Sequence, residues 1–148
     1  MRRLWIGLGC LAVLGCNRDL QHGGSRDEGP KPSYTLFPIG KVVKDSGRTF
    51  IVLDEKYEPA LMGLEKLSHV TVVYWFDRND TPEKRSILQV HPQGNAQNPL
   101  RGVFATHSPV RPNLIAISRC KIISVRGTVI EIDEIDALPN SPVLDLKS

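Results

Sequence analysis

Apolar residues recur along this chain at two spacings, and the shorter spacing dominates. "TVIEIDEI", residues 128–135, alternates polar and apolar, as a strand with one buried face does. It follows "LIAISRCKIISVRG", so the whole stretch reads as two strands joined near Arg126-Gly127. "VTVVYWFD", residues 70–77, is a continuous β-branched and aromatic run, which predicts a strand buried on both faces. "RTFIVLD" predicts a strand behind the turn residues Asp45-Ser46-Gly47. "YTLFPIGKVVK" has strand-like content interrupted or edged by Pro38. "SILQVHP" and "RGVFAT" are two further strand candidates, and "NDTPEKR" and "QGNAQNPL" read as loops. Helical spacing is confined to "EPALMGLEKLSH", where Leu61, Leu64 and Leu67 recur every three residues behind Pro59. Gly63 makes that helix short or irregular. Short strands with regular turns predict a mainly β domain, a sandwich or a barrel, with about one short helix.

The first residues break this pattern. Arg2 and Arg3 precede an apolar run, Leu4 to Leu14, of a signal peptide's length and short for a bilayer span. Val13-Leu14-Gly15-Cys16 then resembles a bacterial lipobox, in which the cysteine becomes the lipidated first residue of the mature chain. An ordinary signal cut at a small residue, a retained anchor and a buried strand are the competing readings. "NRDLQHGGSRDEGPKPS" is polar, rich in Gly and Pro, and reads as a flexible tether. The expected organisation is therefore a signal peptide over 1–15, a lipidated Cys16 and linker over 16–33, and a folded domain over 34–148. That implies the cell envelope, with the chain held to a bacterial membrane through Cys16. If the signal reading fails, the location is the cytoplasm.

Composition narrows the chemistry. With 148 residues, 41% hydrophobic and 24% charged, the chain has the make-up of one folded domain. Cleavage removes Cys10 and lipidation uses Cys16, so Cys120 stands alone without an intrachain disulfide partner. No CxxC or Cys/His cluster exists, and His22, His69, His91 and His107 are scattered, so no metal site is expected. Loss of Arg2 and Arg3 leaves 17 basic residues against 16 acidic ones, a net of +1 with little general pull on nucleic acid. The distribution says more than the sum. Arg101, Arg111, Arg119, Lys121 and Arg126 occur in a stretch without an acid, and Glu131, Asp133, Glu134 and Asp136 follow. A polarised surface and cross-strand pairing of the two blocks both fit.

One stretch carries the densest chemistry: "GVFATHSPVRPNLIAIS", residues 102–118. Pro109 and Pro112 fix φ and restrict Ser108 and Arg111 before them. A loop stiffened this way holds polar side chains with little ordering cost on binding. Arg111 offers a planar fork for a carboxylate or phosphate, and His107, Ser108 and Asn113 add titratable and hydrogen-bonding groups. A loop for a polar or anionic ligand is one reading. A structural crossing, with Asn113 capping a turn, is the other. No GxGxxG or Walker pattern is present.

"GLEKLSHVTVVYWF", "VHP", "GVFATHSPVRPNLIAIS" and "SPVLDLK" occur in this order. Together they resemble the TrmO family, also called TsaA-like proteins, over roughly residues 36 to 147. The resemblance implies a single β-barrel domain that uses S-adenosylmethionine and lacks the Rossmann glycine motif. It implies methylation of N6 of the threonylcarbamoyl-modified adenosine at position 37 of certain tRNAs, and a homodimer. Carried over residue by residue, the cofactor-binding candidates are His107, Ser108, Arg111, Asn113, Asp145 and Lys147. Asp145 and His69 are the titratable candidates for a catalytic base, with neither assigned. The 106–113 loop and the 142–147 tail are expected to converge on one pocket.

The family pattern F-A-T-R-S-P-x-R-P-N-P-I-G is altered here. His107 stands at its arginine, Leu114 at its second proline and Ala116 at its glycine. In the tail, Asn140-Ser141 replaces Gly-Thr, and the terminal Pro-Tyr is missing. Exchanging arginine for histidine removes a permanent charge and a bidentate fork. An exported binding module on the same fold, without methyltransferase activity, is therefore the alternative function.

Overall fold

The computed structural model describes residues 32–148, and Thr35–Ser148 form one compact unit. The stretches read as a signal peptide and, up to residue 31, as a lipidated Cys16 and linker lie outside the described residues. The strands are β1 (Gly40–Asp45), β2 (Arg48–Leu53), β3 (His69–Trp75), β4 (Gln89–Val90), β5 (Arg101–Gly102), β6 (Ile115–Arg126), β7 (Val129–Ile132) and β8 (Pro142–Lys147). Six of them close into a barrel in the order β1-β2-β7-β6-β3-β8, with every neighbouring pair antiparallel. β4 and β5 form a separate two-stranded sheet. Closure removes the exposed edges that an open sheet of short strands would leave.

Turn chemistry and alternation account for most of this. Ser46 and Gly47, both at positive φ, join β1 to β2, and Gly127 at φ 54 lies between β6 and β7. Both turns fall where the sequence placed them, and two-residue hairpins need such residues. Alternate residues fill the barrel: Val42, Ile51, Val70, Val72, Ile130, Ile132 and Val143 are all buried. β3 differs from its expectation. Val70, Val72 and Tyr74 are buried, while His69, Thr71, Val73 and Trp75 are half-buried. The run is continuous in hydrophobicity because its outward side is also partly covered; Arg85 lies over the Trp75 ring, 5.3 Å from its centroid.

Four expectations need correction. The strand foreseen from Tyr34 starts only at Gly40, because Pro38 has no N–H for a ladder. The helix foreseen around residues 58–69 is two 3-10 segments, Glu55–Leu61 and Leu64–Lys66, separated by Gly63 at φ 90. The only α-helix among the described residues, α1 (Pro82–Arg85), lies in a stretch read as loop. There Thr81 accepts from the Lys84 N–H at 3.4 Å and Pro82 opens the first turn. The strands foreseen in "SILQVHP" and "RGVFAT" shrink to two residues each, and the second runs into a 3-10 turn, Val103–Ala105.

Candidate functional site

A cavity of about 950 Å³ opens at the end of the barrel where β3 runs out and β6 begins. Trp75 pairs with Ile115 there, and the Phe76 N–H donates to the Leu114 carbonyl at 2.9 Å. Its apolar wall includes Phe76, Phe104, Ile117 and Leu138. Its charged groups are of both signs: Asp77 and Asp136 against Arg78 and Arg111. Tyr74 forms part of the floor, edge-on to Phe76 with ring centroids 5.7 Å apart. Burial pushes its phenol above the usual tyrosine range, so it stays neutral. Its hydroxyl lies 3.4 Å from Ser118 Oγ.

The 103–113 loop is held by its own side chains. Thr106 Oγ1 donates to the Val103 carbonyl at 3.1 Å and accepts from the Ser108 N–H at 3.2 Å. Ser108 Oγ accepts from the Val110 N–H at 3.3 Å. These local bonds, with Pro109 and Pro112, fix the loop that presents His107 and Arg111. A second set of contacts ties it to the segment after β3. Arg85 donates through Nη1 to the Pro112 carbonyl at 2.8 Å and through Nε to Asp80 Oδ1 at 2.8 Å. Trp75 Nε1 donates to Asp80 Oδ2 at 3.2 Å. The Arg85 hydrogen bond holds the Asp80 carboxyl below its usual range. Lys84 Nζ donates to the Arg78 carbonyl and to Asn79 Oδ1, which braces that wall.

The residues foreseen from sequence do not all gather here. His107, Arg111 and Asn113 line this cavity. Ser108 lines a second hollow on the other side of the same loop. Asp145 and Lys147 line neither, and the register explains why. Val72 faces Leu146 and Tyr74 faces Val143 on the inner side, with an extra residue bulged out between them. Asp145 and Lys147 are therefore opposite Val73 and Thr71 on the outer side, where they pair with each other at 2.6 Å. Only Ser141, just before β8, brings the tail to the cavity. His69 opens β3 opposite Lys121, with Nδ1 2.9 Å from Ser68 Oγ, and lines neither hollow. Sequence reading passed over Asp77, Arg78, Asp136 and Leu138. The available signal was position: polar residues just past a strand's end face the mouth of a barrel. Cys120 is buried, and burial pushes its thiol up to about 11, which makes it an inert core group.

Residues 31–148 match the family model described as the tRNA-methyltransferase O N-terminal domain. The chain belongs to that TrmO family. A probable S-adenosyl-L-methionine-binding protein of Methanocaldococcus jannaschii is 43% identical over 114 residues, covering 77% of this chain and 90% of its own. The human tRNA (adenine(37)-N6)-methyltransferase is 38% identical over 90 residues, covering 61% of this chain and 20% of its own. The crystal structure of TrmO from P. aeruginosa matches with a TM-score of 0.60 at 26% identity, over 81% of this chain and 56% of that one. This TrmO-family chain thus spans most of the archaeal relative, about half of the crystallised TrmO and a fifth of the human enzyme.

Proposed function

We propose that the cavity at the barrel end binds S-adenosylmethionine and that the domain is a TrmO-type methyltransferase acting on N6 of the position-37 adenosine of tRNA. The observation that carries the reading is the cavity's mixture of groups. Arg78 and Arg111 suit the carboxylate of an amino acid, and Asp77 and Asp136 suit its ammonium and a sulfonium. Phe76, Ile117 and Leu138 offer apolar surface to a nucleoside. A methyl donor fits this combination, and the archaeal relatives described as probable S-adenosyl-L-methionine-binding proteins and the human tRNA (adenine(37)-N6)-methyltransferase support it.

Bound there, S-adenosylmethionine supplies an electrophilic methyl group on a sulfur that already leaves well. The chain's own task is alignment and proton removal. The braced 103–113 loop and the Arg85–Asp80–Trp75 contacts keep the walls from shifting when a ligand enters. An N6 proton lost during transfer can be taken by a nearby base, and within one protomer Asp77 and Asp136 are the carboxylates of the cavity. His69 and Asp145 would reach it only from a second copy. A homodimer is part of this proposal, and the exposed Leu88 and Leu100 beside the β4–β5 sheet are apolar surface it could cover.

Location is proposed from sequence alone: a lipid anchor at Cys16 would hold the domain in the cell envelope, away from tRNA. The second reading is then an exported module that keeps the ligand cavity and not the reaction; His107 in place of the family's arginine bears on the reaction alone. Calorimetric titration of S-adenosylmethionine into the whole chain tests the first step. Saturable binding at one ligand per chain is expected, in the micromolar range or tighter. The absence of heat at millimolar ligand would remove the methyltransferase proposal.

A further inference from the structure

The loop between the two hollows is a shared wall: Ala105, Thr106, His107 and Pro109 line both. The hollows differ in charge. The cavity already described carries two carboxylates. The second, about 850 Å³, is lined by Arg101, His91 and His107 and by no carboxylate. Arg101 takes part in none of the ion pairs among the described residues, which join Arg48 to Glu131, Arg85 to Asp80 and Lys147 to Asp145. His91 is oriented. Its Nδ1 lies 2.7 Å from the Asn98 carbonyl, which can only accept, so Nδ1 carries a hydrogen and Nε2 is left for another partner. Asn98 Nδ2 in turn donates to the Pro92 carbonyl at 2.9 Å. Gln93 and Gly94, both at positive φ, turn the chain tightly at the rim.

We propose that this second hollow holds a phosphodiester of the RNA strand whose adenine is methylated. The inference rests on the methyltransferase reading. An acceptor base must reach the first cavity, so the phosphates flanking it must pass close to that cavity's mouth. The second hollow adjoins the first through one loop, and its charged lining is cationic only. Arg101 is its permanent charge, His91 an oriented hydrogen-bonding partner, and Gln93 a neutral donor at the rim. Ionic contacts of this kind release counterions, so they are read by salt dependence.

The test uses the whole chain, an anticodon stem-loop RNA containing the target adenine, and the variants Arg101→Glu and Gln93→Glu. Fluorescence anisotropy at several salt concentrations measures RNA binding, and calorimetry measures S-adenosylmethionine separately. Both variants should weaken RNA binding, Arg101→Glu by about tenfold, with the salt slope shallower by about one. Affinity for S-adenosylmethionine should stay within about twofold of wild type, because neither residue lines the first cavity. RNA binding unchanged in both variants overturns the inference and leaves the cofactor reading standing, as does a wild type that binds S-adenosylmethionine but no RNA. Joint loss of both ligands in both variants also overturns it, since the hollow is then not a separate site. Inorganic phosphate and phosphatidylglycerol vesicles are run as parallel probes. Arg101-dependent binding of either, without RNA binding, would reassign the hollow to a small anion or to a membrane. If S-adenosylmethionine fails to bind while Arg101-dependent RNA binding persists, the cofactor reading falls and the phosphate site remains.

Discussion

Gly40 shows how much one atom decides. A Cβ placed there would lie well inside contact distance of the Val52 carbonyl oxygen and 2.7 Å from Leu53 Cα. Both are backbone atoms of the paired strand β2, so neither can rotate away. Gly40 also pairs with Val143 of β8, at the seam where the barrel closes. Gly40→Ala should therefore destabilise the domain by about 2 kcal/mol or more, through forced separation of β1 from β2. Urea denaturation of both proteins measures this. A midpoint unchanged by the substitution would mean that the strands part without cost. Nothing in the sequence marks this glycine apart from the others, because its constraint comes from Val52 and Leu53 on the next strand. Cys120 is the opposite case: an apolar neighbourhood in the sequence was enough to read it as inert core, and it is buried.

At the scale of elements, one ion pair ties β2 to β7. Arg48 donates through Nε and Nη2 to the two Glu131 oxygens at 2.8 and 2.7 Å, and Ser124 Oγ adds a bond at 3.2 Å from β6. Glu131 of the acidic block thus draws its ion-pair partner from β2, while Asp133 accepts a hydrogen bond from the Lys121 backbone N–H of the basic block at 2.9 Å. The Arg48 hydrogen bond is the largest reason that the Glu131 carboxyl sits below its usual range. A carboxyl depressed by folding adds stability above its unfolded pKa. That stability is lost as pH falls through the folded value. Glu131→Gln should therefore lower the melting temperature by a few degrees at neutral pH. The gap should close on acidification, once wild-type Glu131 is protonated as well. Melting curves from neutral to acid pH check this, and a gap independent of pH would point to lost packing instead. The same scale shows what patterning can and cannot say. Alternation located β7, and the Asp45-Ser46-Gly47 turn located β2 and the β1–β2 hairpin. Leucines three apart mark a 3-10 turn as well as an α-helix, so residues 58–69 were misread. Thr81-Pro82 was a helix start in plain view, too short to show an apolar period.

At the scale of the whole molecule, the mainly β class was legible from many short strands with regular turns, which fit a sandwich as well as a barrel, and the resemblance supplied the barrel. The site was legible only in part. His107, Arg111 and Asn113 lie on one loop that the sequence presents as a unit. Asp77 and Asp136 reach the cavity from two distant segments, and no local pattern joins them. Asp145 and Lys147 were placed by resemblance, and a bulge in the β3–β8 ladder sets the face they occupy. His107 draws these strands of argument together, because it lines both hollows and replaces the family's arginine. An arginine there would add a permanent charge with a planar fork, facing a ligand with a carboxylate on one side and phosphates on the other. A hydrogen bond to a charged group contributes about 1.5–3 kcal/mol when sheltered, and His107 is exposed, so the lower part of that range applies. His107→Arg should therefore tighten S-adenosylmethionine by about tenfold or somewhat less. RNA affinity should rise with it, and the salt slope should steepen. A gain for the small ligand alone would place the side chain's working partner in the first cavity. A gain for neither would mean that this position has left the ligand machinery, and that the chain's departure from the family pattern extends to its chemistry.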